Sequence, residues 1–194
     1  MIRVSKSERT RNALREVALR HFVADGFQAA SVPAIAAEVG VTERTFYRHF
    51  ATKDEVLFGD VVTRLAWFAA AMRERPADED LVRSVLASLG SAPTDPQLMV
   101  EIARLRSELL SPERIERVFR DRQAAMAREL RQLLGDRGAG ELDAAVRAEA
   151  LAGAVFAAVA VWSDEPDPDL RTLGDLTEQA LEKVRPLLGF RGKR

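Results

Sequence analysis

Apolar residues return every three or four positions along almost the whole of this chain, and no segment alternates apolar with polar residues as a half-buried strand would. That periodicity predicts an all-α protein. Leu14, Val17, Ala18, His21 and Phe22 mark a first helix over about residues 7–25, which Gly26 ends in a left-handed conformation. His21, on that stripe, reads as a packed core histidine. Ser31 caps a short second helix carrying Val32, Ile35, Ala36 and Val39, and Gly40 ends it. Thr42 caps a third helix that turns Phe46 and Phe50 inward. Thr52-Lys53-Asp54-Glu55 reads as a capping box opening a longer fourth helix, with Leu57, Val61, Leu65, Phe68 and Met72 on one side and Pro76 beyond its end. Further helices are expected at about 79–89, 96–110, 112–134, 142–162 and 173–188, about nine in all. Short connections between long helices predict antiparallel neighbours in a C-terminal bundle. The expected division is a three-helix domain over residues 1–53 and a bundle over 54–194.

Composition removes whole classes of chemistry. Among 194 residues there is no cysteine and there are only two histidines, which excludes disulfide scaffolds, thiol catalysis and cysteine/histidine zinc sites. There is no nucleophile paired with a base and no glycine-rich phosphate loop, so neither an enzyme nor a cofactor is expected. The start of the chain has no apolar signal-type core, and the longest uncharged run, Ala150 to Trp162, is too short to span a bilayer. A cytoplasmic protein without membrane contact is the expectation. The net charge is only −1, but residues 1–53 carry nine Lys/Arg against five Asp/Glu, a local +4 that leaves −5 for the remainder. A basic module on an acidic body suits a chain of which one end meets phosphate.

The segment Ser31–Phe50 joins a capped helix, a glycine turn and a second helix. With Phe46 and Phe50 inward, Thr42, Glu43, Arg44, Thr45, Tyr47, Arg48 and His49 are left outward. In a helix-turn-helix the second helix enters the major groove and such side chains reach bases and phosphates. Basic residues ahead of the first helix, Arg3, Lys6, Arg9 and Arg11, fit either an arm along DNA or a solvated lead-in.

Around these residues the chain resembles the tetracycline-repressor (TetR) family. The likeness covers about Glu8 to Phe58 and rests on Phe22-Val-Ala-Asp-Gly26-Phe27, Ser31-Val, Ile35-Ala36, Val39-Gly40-Val41, Thr45-Phe46-Tyr47-Arg48-His49-Phe50 and Lys53-Asp54-Glu55. The resemblance implies phosphate contacts for Tyr47, Ser31, Thr42 and Lys53, and base reading for Arg44 and Thr45, where the Arg44 fork matches the two acceptors of guanine. Arg48 and His49 fit either the DNA backbone or neighbouring helices.

For the body, the resemblance implies a homodimer built on the last two helices, with a palindromic operator mirroring its two-fold symmetry. Leu151, Val155, Phe156 and Val159 of the eighth helix and Leu176, Leu181 and Val184 of the ninth are the candidate interface. It also implies a cavity for a small-molecule effector, apolar or amphipathic, with a looser likeness to members sensing acyl-CoA-type ligands. Trp67, Phe68, Met72, Met99, Leu105, Phe119 and Phe156 are the candidate lining, although each also suits plain core. The expected function is a ligand-responsive regulator, a repressor released from double-stranded DNA by its effector. The competing reading is a helical interaction module that touches no DNA, which leaves the outward Thr-Arg-Thr-Tyr-Arg face unexplained.

Overall fold

Gly40 takes φ +74° at the end of the second helix, where nothing lies within 4 Å of a would-be Cβ, so its backbone conformation alone calls for glycine. The N–H groups of Gly40 and Val41 donate back to Ala37 and Ala36 at 3.0 and 2.9 Å. These paired bonds close a Schellman turn and satisfy two helix-end carbonyls. The turn joins α2 (Val32–Glu38) to α3 (Glu43–His49), and α1 (Lys6–Asp25) precedes them. The computed structural model describes residues 6–92, 96–166 and 168–188; Arg3 of the N-terminal arm lies outside them. Among the described residues every regular element is helical.

The chain divides into two compact units, Met1–Asp60 and Val61–Arg194, so the boundary falls seven residues after the position expected from sequence. The physical reason is the segment after α3. Lys53–Phe58 forms a 3-10 turn instead of opening a long helix, and it buries Val56, Leu57 and Phe58 almost completely. Leu14 and Phe22 of α1, Ile35 of α2 and Phe46 of α3 are buried apolar residues of the same unit. Each such side chain contributes roughly 1.5–3 kcal/mol. The expected capping box is not formed: Thr52 makes no side-chain cap, and the Glu55 carboxylate accepts the N–H of Ala51, one residue before the cap, at 2.8 Å. The fourth helix, α4 (Gly59–Glu74), begins only at the end of the 3-10 turn.

In the second unit follow α5 (Leu81–Gly90), α6 (Pro96–Leu109), α7 (Pro112–Asp136), α8 (Glu141–Ser163) and α9 (Leu170–Val184), then a 3-10 turn Arg185–Leu188. Phe68 and Met72 of α4, Val82 and Val85 of α5, Met126 and Leu130 of α7, Leu151 and Val155 of α8 and Leu181 of α9 form one core cluster. By length and apolar composition α8 meets the requirement for a membrane span. Eight of its residues are buried in this body, however, and Glu141, Asp143, Arg147 and Glu149 lie in its first half, so it is built as a core helix.

Buried indole N–H groups need acceptors. Trp162 donates to the Asp169 carbonyl at 2.7 Å, and Asp169 caps α9 by accepting from Arg171 and Thr172. Trp67, half-buried, donates to Ser91 Oγ at 3.1 Å. Arg137, just past α7, donates to the Met72 and Arg75 carbonyls at 3.0 and 2.7 Å and so completes the free carbonyl end of α4.

Candidate nucleic-acid interface

Phe46 and Phe50 are fully buried, with ring centroids 5.5 Å apart, and this i, i+4 pair sets the roll of α3. The opposite face is presented to solvent: Glu43, Arg44, Tyr47 and Arg48 are exposed. Tyr47 stands edge-on to Phe46 with 45% of its surface accessible, so its ring is braced and its hydroxyl is free to reach outward. Thr42 caps α3, accepting the Thr45 N–H at 3.3 Å and sharing a hydroxyl contact of 3.1 Å with Thr45. Ser31 caps α2 through Ala34 N–H at 3.4 Å. Both hydroxyls that the resemblance assigns to phosphate are therefore also the local caps of a helix only seven residues long, which leaves each one accepting from the backbone while its own O–H remains a donor.

His49 is half-buried, with Nε2 enclosed and without a hydrogen-bond partner among the described residues. Burial, with Arg48 and Arg11 close by, holds its imidazole below the ordinary value and favours the neutral ring. Arg11 itself lies over the Phe50 ring at 5.4 Å.

One sequence assignment is corrected. His21 is not packed among apolar side chains: its Nδ1 is 2.9 Å from Asp25 and its Nε2 is 3.0 Å from Glu38, which also receives Arg20 at 2.7 Å. The stripe spacing placed the ring at the edge of the core, where α2 offers a carboxylate. Lys53, assigned to phosphate, is turned toward the α1–α2 loop. Its ammonium donates to the backbone carbonyls of Phe27, Gln28 and Ala30 and lies 4.6 Å over the Phe27 ring. Backbone acceptors are invisible to a reading of residue types.

Three of the seven candidate interface residues are also relocated. Leu151 and Leu181 are fully buried and Val155 is 6% exposed, all inside the body of a single chain, where close packing leaves nothing for a partner to cover. Phe156, Val159, Leu176 and Val184 are half-buried. The outward face of α8 instead carries Leu142, Val146 and Val161, 77%, 52% and 53% exposed, together with Ala157 and Ala160. Of the candidate lining, Phe68 and Met72 belong to the core cluster, with Phe156 packed against it; Phe119 meets Phe156 edge-on at 6.2 Å. Met99 receives Arg64 at 3.4 Å, and Leu105 is half-buried.

Comparison with known proteins decides the family. Residues 14–58 match the model of bacterial regulatory proteins of the tetR family. Over 201 aligned residues the chain is 32% identical to the HTH-type transcriptional regulator TcmR of Streptomyces glaucescens, spanning 96% of this chain and 88% of that protein. The chain belongs to the TetR family. A regulator proposed for mycofactocin biosynthesis, MftR of Mycobacterium tuberculosis, is 39% identical over 57 residues, 29% of each protein. Among solved structures, one assigned to the TetR family from Mesorhizobium loti superposes with a TM-score of 0.51 at 17% identity, covering 94% of this chain and 98% of that one, a likeness of fold. This TetR-family chain is thus a helix-turn-helix, DNA-binding transcriptional regulator, and its relatives are regulators rather than enzymes.

Proposed function

We propose that this regulator is a cytoplasmic repressor that binds a palindromic operator as a homodimer and leaves it when a small apolar or amphipathic effector enters the body. The observation that carries the reading is the solvent-facing side of α3, where Arg44, Tyr47 and Arg48 project from a helix held by two buried phenylalanines. Arg44 and Thr45 read bases; Tyr47, Ser31 and Thr42 hold phosphates; Arg48 and His49 support either contact. The outward α8 face, Leu142, Val146, Ala157, Ala160 and Val161, is where a second copy docks, with Phe156, Val159, Leu176 and Val184 at its margin. Its apolar surface supports this reading, because patches of that kind on a soluble chain mark interfaces.

The aromatic interior of the body, with Phe119 beside Phe156, supports an apolar or amphipathic effector, the acyl-CoA type included. In this reading the effector acts on DNA binding through α4, Gly59–Glu74. An effector can release DNA only by its differential affinity for the free and bound forms, and operator must weaken effector binding by the same factor. The test is a mobility shift with duplexes covering the gene's own upstream region, over a range of salt. A specific site whose affinity falls steeply with salt is expected. Binding that ignores both sequence and salt would refute the reading.

A further inference from the structure

Glu43 is the first residue of α3, directly after the Thr42 cap. It is exposed, and its carboxylate makes no hydrogen bond or ion pair among the described residues. Other acids of the same unit are held: Asp25 and Glu38 by His21, and Glu55 by the Ala51 N–H. Arg44 is exposed as well and does not engage Glu43, since neighbours in sequence point to different sides of a helix. Helical side chains lean toward the N-terminus, so Glu43 and Arg44 project at the end of α3 that a recognition helix brings to the base edges. A carboxylate there is repelled by phosphate and by the O6 and N7 acceptors of guanine. What it can accept from in the major groove is an amino group.

We propose that Glu43 is a specificity-determining residue, its carboxylate accepting the 4-amino group of a cytosine beside the guanine that Arg44 reads. The two residues read opposite chemistry, because Arg44 carries donors only and Glu43 acceptors only. Of the four base edges cytosine suits Glu43 best, its amino group being neighboured by carbon. Adenine sets N7 next to its amino group, which repels the second carboxylate oxygen, and guanine and thymine present acceptors. The charge selects as much by rejection as by attraction, since every wrong base leaves an ion at the interface without a donor. Glu43 also lies at the positive end of α3, where a carboxylate stabilises the helix. A stabiliser acts on all DNA sequences alike, whereas a reader acts at one base pair.

The inference rests on the chain binding a specific DNA site, and the experiment separates the two. Wild type, Glu43→Gln and Glu43→Ala, each as the full chain, select from a library of random duplexes, and the enriched sequences are compared position by position. Base preference is a ratio of affinities within one protein, so a uniform loss of folding cancels. Wild type should show cytosine at one position of the half-site, favoured about ten-fold over other bases. Glu43→Ala should flatten that position alone and bind a mixed-sequence duplex more tightly, because a negative charge has left the interface. Glu43→Gln should exchange cytosine for adenine there, since a glutamine amide matches the N6 and N7 pair. Arg44→Ala should keep the cytosine and lose a neighbouring guanine. Unchanged preference in both Glu43 variants would reduce Glu43 to a helix-end stabiliser and overturn the proposal. A loss spread evenly over the site overturns it too, as does a position that answers to Glu43 but holds another base. A wild type that enriches no sequence would instead remove the regulator reading, and the proposal with it.

Discussion

The Nε2 of His21 on α1 lies 3.0 Å from the Glu38 carboxylate at the end of α2, while the other ring nitrogen faces Asp25 at 2.9 Å. Ionised carboxylates only accept, so both nitrogens donate at once only when the ring is an imidazolium. The hydrogen bond to Glu38, then that to Asp25, raises the His21 value above the ordinary 6.5, and the same contact lowers Glu38 below 4.5. A raised histidine contributes stability that is complete below 6.5 and disappears as pH rises through the folded value. A lowered carboxylate contributes stability present above 4.5 and lost as pH falls through its folded value. The α1–α2 brace is therefore firmest between those limits. Protection of the α2 amides against exchange, compared at about pH 6 and about pH 9, should fall with pH in wild type and stay level in His21→Gln. Identical pH profiles in the two proteins would assign the brace elsewhere.

Thr42 caps a helix of only seven residues, so the cap is a large share of what holds α3 in place. Thr42→Ala should cost about 1 kcal/mol in denaturant unfolding of the DNA-binding unit, and Thr42→Ser should recover most of it. A cost within error of zero would mean that Phe46 and Phe50 alone hold the helix.

On the recognition face, base contacts carry sequence information and phosphate contacts do not. Arg44→Ala should cost about 1–3 kcal/mol on the operator and relax preference at one position, with little effect on random duplex. Tyr47→Phe, removing one hydroxyl from a braced ring, should weaken both alike. Equal losses on operator and random DNA for Arg44→Ala would strip it of the reading role.

The relocated α8 face separates assembly from folding. Val146→Glu and Val161→Arg place charges on residues already half exposed, so sedimentation should show folded monomers. Leu151→Asp buries an unpaired charge in the core and should unfold the body, at a cost of about 3–5 kcal/mol. Dimers persisting in both surface variants would move the interface off α8.

Legibility followed the kind of partner each residue has. The i, i+4 pair Phe46 and Phe50, the caps Ser31 and Thr42 and the left-handed glycines Gly26 and Gly40 act within a turn or two of sequence, and their roles could be read there. His21 and Lys53 could not, because Glu38, the His21 partner on α2, is 17 positions away, and the Lys53 partners are 23 to 26 positions away and are carbonyls common to every residue. On α8 the apolar residues run nearly all round the helix, so periodicity could not tell the inward Leu151 and Val155 from the outward Val146 and Val161. The 3-10 turn escaped because Thr52-Lys53-Asp54-Glu55 has the residue types of a helix start, and only the burial of Val56–Phe58 decides how tightly the next turn is wound.

The placement of three aromatic side chains makes this chain its own spectroscopic instrument. Tyr47 is its sole tyrosine and stands on α3, whereas both tryptophans belong to the body. The indole of Trp162 is 2% exposed and hydrogen-bonded at the α8–α9 corner, which calls for blue-shifted emission, and half-buried Trp67 on Ser91 calls for redder light. Excitation selective for tryptophan therefore sees only the body, in two colours, while a single label such as fluorotyrosine reports only the recognition helix. One unmodified sequence thus lets the two halves be watched on separate channels during unfolding, effector binding or DNA release.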